Sequence, residues 1–248
     1  MDNTQRVALV TGGGRGIGAA TAVELGRRGF HVIVNYRGDA AAARETARAV
    51  EAAGGTARPF QADVRDAAGV ADMAAACGPV DALVCNANIT PPFAPFEDIP
   101  WDAFMDKVGG ELAAAFHVTR ALLPGMRERR GGAIVYVSSL SAELTRPGAI
   151  AHATAKAALD TFARYVAAEA GPHGVAVNVV SPGAVRTDVP AAARTQTEAE
   201  LSARSILGRM VEPADVAPVI AALLDGGFPA VTGARIPVDA GFRVLTAP

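Results

Sequence analysis

The stretch Thr11-Gly12-Gly13-Gly14-Arg15-Gly16-Ile17-Gly18 constrains this chain more than any other. It closes a short apolar run, Val7–Thr11, and opens a segment of helical length, Ile17–Arg28. Glycines allow a sharp turn between strand and helix, and they let main-chain N–H groups come close to an anion at the helix N-terminus. The spacing is G-x-x-x-G-x-G, and no Gly-Lys-Ser/Thr follows it, so this is not a nucleoside-triphosphate P-loop. Glycine-rich turns also serve plain strand-to-helix connections. Its place at the first strand of a βαβ unit is what points to a dinucleotide pyrophosphate, with Gly12, Gly14, Gly16, Ile17 and Gly18 as the expected contacts.

The rest of the chain repeats that alternation. Val7–Thr11, His31–Tyr36, Thr56–Ala62, Val80–Asn86, Ala133–Ser138 and Val175–Ser181 have strand length and are nearly all apolar, as parallel strands buried on both faces are. Ile17–Arg28, Ala40–Ala53 and Ala67–Cys77 between them have helical length. Right-handed βαβ units of this kind build a doubly wound α/β sheet. No repeat or low-complexity linker divides the chain, and the one proline-rich stretch, 91–95, is too short to do so, so residues 1–248 are expected to form a single domain. The polar, Ala-rich segment at about 187–206 is where a mobile lid is expected.

Composition removes several function classes. The 248 residues are 50% hydrophobic and 19% charged, which suits a packed core. Twenty-three Lys and Arg against 25 Asp and Glu leave a formal charge of −2, with no basic excess to favour nucleic acid or an anionic membrane. No apolar run reaches the ~18 residues of a membrane span, and the polar start, Met1 to Arg6, does not suit a signal peptide. Cys77 and Cys85 could form one bridge at most; a reducing, cytoplasmic setting is the simpler expectation. His31, His117 and His173 lack metal-ligand spacing, so no metal is expected.

The end of the second strand speaks to cofactor choice. An NAD site usually carries an acid there for the ribose 2′-hydroxyl. Here the sequence runs Val34-Asn35-Tyr36-Arg37, and the first acid is Asp39. Arg37 and Arg15 could flank a 2′-phosphate instead, or be two solvated surface arginines. The missing acid favours NADP(H), with Tyr36 and Arg37 beside it.

Ala62-Asp63-Val64, Asn86-Ala87, Ser138-Ser139, Lys156, Asn178-Val179-Val180-Ser181-Pro182-Gly183 and the segment Val231 to Gly241 complete a pattern spanning nearly the whole chain. In these motifs the chain resembles the classical short-chain dehydrogenase/reductases, especially the 3-oxoacyl-(acyl-carrier-protein) reductase-like branch. The resemblance implies a Rossmann-type sheet of about seven parallel strands with helices on both faces. It implies that Asp63 and Val64 contact the adenine and that Asn86 and Ala87 line the adenosine side. Lys156 would hold the nicotinamide ribose, and Pro182, Gly183, Val185 and Thr187 would border the nicotinamide.

The chain departs from the family at the catalytic centre. The family's motif is Tyr-x-x-x-Lys with a Ser thirteen residues before the Tyr. Ser139 and Lys156 are in place, but the residue between them, four before Lys156, is His152. Glu111 stands where the family usually has its proton-relay Asn, and the usual Asn-Asn-Ala-Gly is Cys85-Asn86-Ala87-Asn88. Asn88 in place of glycine is expected to weaken the cofactor's approach. Gly109-Gly110 suggests a break in the helix that carries Glu111. A histidine can donate a proton, and as an imidazolium it would lose activity as pH rises through its pKa. Lys156 lowers that pKa, and Glu111 can offset it by pairing with Lys156 or His152. The bland alternative is a cleft histidine left after catalysis was lost.

Three functions therefore compete. One is NADP(H)-dependent reduction of a carbonyl in a 3-oxoacyl or polyketide-like substrate, with Ser139 polarising the oxygen, His152 supplying the proton directly or through water, and Lys156 orienting the ribose. Another is a non-redox acid/base enzyme, a dehydratase, isomerase or cyclase, using Ser139, His152 and Glu111 as a triad. The third is a silent subunit paired with an active homologue. Ala155, Leu159, Phe162 and Val166 recur at helical spacing. With the family's helix interfaces, they imply a homodimer or homotetramer, or a hetero-oligomer with a homologue.

Overall fold

Seven parallel strands form one sheet in the order β3-β2-β1-β4-β5-β6-β7. They are β1 (Val7–Val10), β2 (His31–Tyr36), β3 (Thr56–Gln61), β4 (Ala82–Cys85), β5 (Gly132–Val137), β6 (Val175–Pro182) and β7 (Arg235–Val238). The helices are α1 (Gly16–Arg27), α2 (Ala40–Ala52), α3 (Ala67–Cys77), α4 (Trp101–Glu128), α5 (Ile150–Ala170), α6 (Glu198–Ala203) and α7 (Pro213–Leu224). The structure is a computed structural model and describes residues 5–186 and 198–244. The expected strands lie where the apolar runs placed them, within two residues at each end.

The sheet is buried on both faces, which is why its strands are apolar throughout rather than alternating. Leu9, Ile33, Leu83, Ile134 and Val177 point to one side, under α3, α4 and α5. Ala8, Val10, Val32, Val34, Val84 and Val135 point to the other, under α1 and α7. Local signals start the helices. Asp39 accepts from Ala42 N at 3.0 Å, Asp66 accepts from Ala68 N and Gly69 N, and Glu212 with Asp215 makes a capping box on α7.

The chain leaves β1 towards β2 and β3 on one side and returns at β4 on the other, so a crevice opens between the C-terminal ends of β1 and β4. Thr11 braces it. Its hydroxyl donates to Val84 O at 3.1 Å and accepts from Asn86 N at 2.9 Å and Ala87 N at 3.0 Å. Gly18 must be glycine here, because a Cβ would stand 2.5 Å from Asn86 Nδ2.

One expectation changes. The Gly109-Gly110 pair does not break its helix: α4 runs unbroken from Trp101 to Glu128. Gly110 has a steric use, since a Cβ there would lie 3.2 Å from Ile89 Cγ1, while one on Gly109 would meet open space. Of the lid expected at 187–206, residues 187–197, Thr187 among them, lie outside the described residues; the next six form α6. Cys77 and Cys85 are both free and buried, not bridged. Among the described residues, no helix is long and apolar enough to cross a membrane.

Candidate active site

The cofactor groove is built from main chain. The N-terminus of α1 opens on Gly16 (φ +53°), whose side-chain space is empty for 4 Å, and Arg15 before it makes no capping hydrogen bond. An uncapped helix start beside open space fits a pyrophosphate. Gly12 (φ +61°) turns the chain, and its carbonyl accepts from Asn86 Nδ2 at 3.1 Å. Asn35, which the sequence reading passed over, accepts from Gly12 N at 3.3 Å and gives its amide to Ala62 O at 3.1 Å. It locks the turn to β2 and β3. Ile17 packs against the α1–α7 face of the core, and Gly14 lies close to the start of α2.

The expected adenosine side is partly committed elsewhere. Asn86 spends its amide on Thr11 O, at 3.0 Å, and on Gly12 O, so that group braces the turn from inside. Asp63 is gripped by Arg65 through Nε–Oδ1 at 3.1 Å and Nη2–Oδ2 at 2.8 Å, and this hydrogen bonding holds its carboxyl below the usual carboxylate range. Val64 is buried beneath, and Ala87 packs at the core's edge. Arg15 pairs with Asp39 at 3.2 Å, both exposed, a contact worth at most about 1 kcal/mol and readily exchanged for a phosphate. Tyr36 closes β2, and Arg37 follows it on the surface, near enough to Asp63 to add to Arg65's effect. At the far side Pro182 ends β6, Gly183 N donates to Val238 O at 2.9 Å, and Val185 pairs with Val211.

At the crevice floor lies a buried ionic cluster. Glu111 on α4 is 2% exposed and uses both carboxylate oxygens. Oε1 accepts from Lys156 Nζ on α5 at 2.5 Å, and Oε2 accepts from Lys107 Nζ at 2.5 Å and Ile89 N at 3.3 Å. Lys107, absent from the sequence reading, is wholly buried and also donates to Asn88 Oδ1 at 2.8 Å and Ile89 O at 2.9 Å. Three acceptors require three hydrogens, so its nitrogen is an ammonium, although burial pulls its pKa below the lysine range. Burial alone would raise the Glu111 pKa; Lys156 and Lys107 overcome that and hold it below the usual carboxylate range. Lys156 donates its second hydrogen to Val137 O at 2.8 Å. Asn88, expected to crowd the cofactor, turns its carbonyl oxygen to Lys107 instead.

His152 lies one turn before Lys156 on α5 and does not pair with Glu111, whose oxygens are both taken. The His–acid bond that a Ser139-His152-Glu111 triad needs is therefore missing. His152 Nδ1 is buried and bonds to no protein atom, and the ring lies 6.0 Å from Phe93, which Arg146 covers at 5.0 Å. Burial, with Lys107 and Lys156, pushes the His152 pKa down to about 4 against the opposing pull of Glu111. At neutral pH it is an imidazole, not the imidazolium considered from the sequence.

Ser139 leaves β5 in an extended conformation, and its Oγ accepts from Ser141 N at 3.1 Å, which leaves its own hydrogen for a ligand. Its carbonyl is held by Arg235 on β7, Nη2–O 2.9 Å, while Arg235 Nε donates to Asp160 Oδ2 at 2.8 Å. Arg235 was legible only as part of the last-strand motif, with no sign of this duty.

The molecule's relatives agree with its architecture. A family described as Enoyl-(Acyl carrier protein) reductase matches residues 12–243. The chain is 36% identical to an L-rhamnose 1-dehydrogenase (NAD(P)(+)) of Azotobacter vinelandii, over 96% of this chain and 97% of the relative. It is also 36% identical to an acetoacetyl-CoA reductase of Rhizobium meliloti, over 95% and 98%. The crystal structure of acetoin dehydrogenase from Enterobacter cloacae superimposes with a TM-score of 0.88 at 30% identity, covering 99% of this chain and 98% of that one.

A neutral, half-buried histidine carries a pH signature. The unfolded chain protonates His152 near its ordinary value of 6.5, and the folded one only near 4, so stability contributed by the neutral ring is present above 6.5 and lost as pH falls towards 4. His152→Asn removes this loss. Urea unfolding of both proteins from pH 7 to pH 4 should show the parent losing on the order of 2–3 kcal/mol more than the variant.

Proposed function

The chain belongs to the short-chain dehydrogenase/reductase family, and from that premise we propose that it is an NADP(H)-dependent reductase acting on a 3-oxoacyl or polyketide-like carbonyl. One observation carries the reading. Lys156 is fixed by Glu111 and Val137 O with a third hydrogen to spare, one helical turn from a neutral, unpartnered histidine, at the C-terminal end of the sheet. Similarity to an acetoacetyl-CoA reductase, whose named substrate is a 3-oxoacyl thioester, supports the substrate class.

In this reading Gly12, Gly14, Gly16, Ile17 and Gly18 hold the pyrophosphate, Tyr36 and Arg37 the 2′-phosphate side, and Lys156 the nicotinamide ribose. Asp63, Val64 and Ala87 border the adenosine, and Pro182, Gly183 and Val185 the nicotinamide. A bound reduced nicotinamide supplies hydride to the carbonyl carbon. The chain's own residues handle the oxygen. The Ser139 hydroxyl polarises it, and the imidazole N–H of His152 stabilises the charge that grows on it, as a neutral ring can without first being protonated. The proton that completes the alcohol comes from water, while the His152 N–H holds the oxygen until it arrives.

Turnover follows from that assignment. NADPH oxidation with β-keto thioesters should fall about 100-fold or more in His152→Ala. In the parent it should stay level from about pH 6 to 8, since the ring is neutral throughout. A fall in rate through this window would restore the imidazolium. His152→Tyr rebuilds the family's Tyr-x-x-x-Lys; an inert parent beside an active His152→Tyr would instead mark a silenced subunit or non-redox chemistry.

Cofactor choice rests on Arg37 and on Arg15, whose exposed pair with Asp39 a phosphate can displace. Arg37→Ala should weaken NADPH about tenfold, or ~1.4 kcal/mol, and leave NADH unchanged. Equal losses for both would refute the 2′-phosphate assignment.

Assembly into a homodimer or homotetramer, or with a homologous subunit, is proposed from the outer faces of α4 and α5. Phe116 and Tyr165 are 44% and 66% exposed there, and the Phe116 ring lies tilted at 55° to Phe162, centroids 6.4 Å apart. Light scattering should give twice or four times 25.2 kDa; a mass of 25.2 kDa at micromolar concentration overturns it.

A further inference from the structure

Lys107 is left over by everything above. No step of the proposed reaction uses it, yet it is the only lysine among the described residues with no exposed surface. Its three hydrogens go to three fixed oxygens: Asn88 Oδ1 and Ile89 O on the loop after β4, and Glu111 Oε2 one turn along its own helix. Ile89 N returns a hydrogen bond to the same carboxylate oxygen. Glu111 is thus gripped from the loop and from α4 before it meets Lys156. We propose that Lys107 is a positioning residue: it clamps the Glu111 carboxylate so that the other oxygen holds Lys156 Nζ against Val137 O, and Lys107 with Glu111 forms a matched pair that works only when both are present.

The charges show why the two belong together. Glu111 stands between two buried ammoniums. Without it, Lys107 and Lys156 face each other with nothing between them, and one of them must lose its proton or move. Without Lys107, the carboxylate still has Lys156, but Asn88 Oδ1 and Ile89 O lose their donor and Glu111 is free to swing. Without both, Lys156 remains alone on Val137 O, a simpler site with one cation. Each single loss therefore leaves an unbalanced charge or a loose carboxylate that the double loss removes, although Asn88 Oδ1 and Ile89 O still lack their donor in it. Lys107 also acts at a distance on His152, in company with Lys156 and Glu111 from the packed helices and Arg146 from the loop before α5. The inference rests on the reductase reading only for the work it gives Lys156.

A double-variant cycle separates this from a merely structural lysine. Lys107→Met, Glu111→Gln and the pair are compared by urea midpoint, by NADPH affinity from fluorescence titration, and by the NMR titration of His152. Glu111→Gln is expected to be the worst of the three, with NADPH binding about tenfold weaker, and adding Lys107→Met to it brings binding back to within about threefold of the parent. The same reversal is expected in the urea midpoint. Lys107→Met alone moves the His152 midpoint upward from about 4. If Glu111→Gln does not fold, recovery of folded protein in the double variant is the same reversal. Losses that add, a double variant worse than Glu111→Gln, or a His152 midpoint that does not move overturn the proposal. Should NADPH bind none of the proteins, the parent included, the reductase reading fails, while the urea and NMR arms still decide on Lys107.

Discussion

A carboxylate between two ammoniums, all three out of water, is the constraint around which the catalytic end of this protein is arranged. Desolvating three charges costs several kcal/mol for each, and mutual attraction offsets that only when every remaining hydrogen and lone pair is met. The chain meets them with main chain from two places. Val137 O comes from the end of β5, and Ile89 supplies both its carbonyl and its N–H from the loop after β4. The cluster thus binds α4 to α5 and both to the edge of the sheet. A shift of any of these elements would strand a charge, which is a stronger restraint on geometry than apolar packing alone provides.

The crevice above it depends on a second, uncharged bracket. Thr11, Asn35 and Asn86 are buried or half-buried polar residues whose hydrogen bonds all run to main chain of the glycine turn and its neighbours. They hold β1, β2, β3 and β4 in register at the switch point. Arg235 plays the same part for Ser139 from β7, across the sheet's other end. Both devices set a main-chain position first and leave the side chain or N–H it carries free for a ligand.

How much of this the sequence showed follows the length scale of the signal. The sheet was legible because fully buried parallel strands must be apolar at nearly every position, and β2 and β6 could be placed within a residue of their ends from that alone. The glycine turn, Ser139, His152 and Lys156 were legible because their spacing along the chain is fixed by local structure. Lys107 was not. A lysine four residues before a glutamate is the usual pattern of a solvated helix face, and nothing local says that this face turns inward. The bracing role of Asn86 was hidden for a related reason, since its position after β4 is set by the fold but the direction of its amide is set by Thr11 and Gly12, far away in sequence. Gly109-Gly110 misled because glycine weakens an isolated helix, whereas here the packing of Ile89 against α4 needs the missing Cβ and α4 is held on both sides of it.

The departures at the site make sense as one set. Two ammoniums near His152 favour its neutral form, and a neutral ring can stand beside Lys156 without the repulsion an imidazolium would meet. Glu111 limits that positive field to one net charge, the same as a lone lysine would give, and Lys107 holds Glu111 where it can do so. Asn88, in place of a glycine, supplies the third acceptor that keeps Lys107 protonated in a buried position. Remove any one of these and the others are left with an unpaired charge or an unmet hydrogen bond. A histidine at this place on α5 is therefore tied by electrostatics to Glu111 and Lys107, and through the Lys107 hydrogen bond to Asn88, and the set is one alternative solution to holding a buried lysine beside a half-buried polar ring.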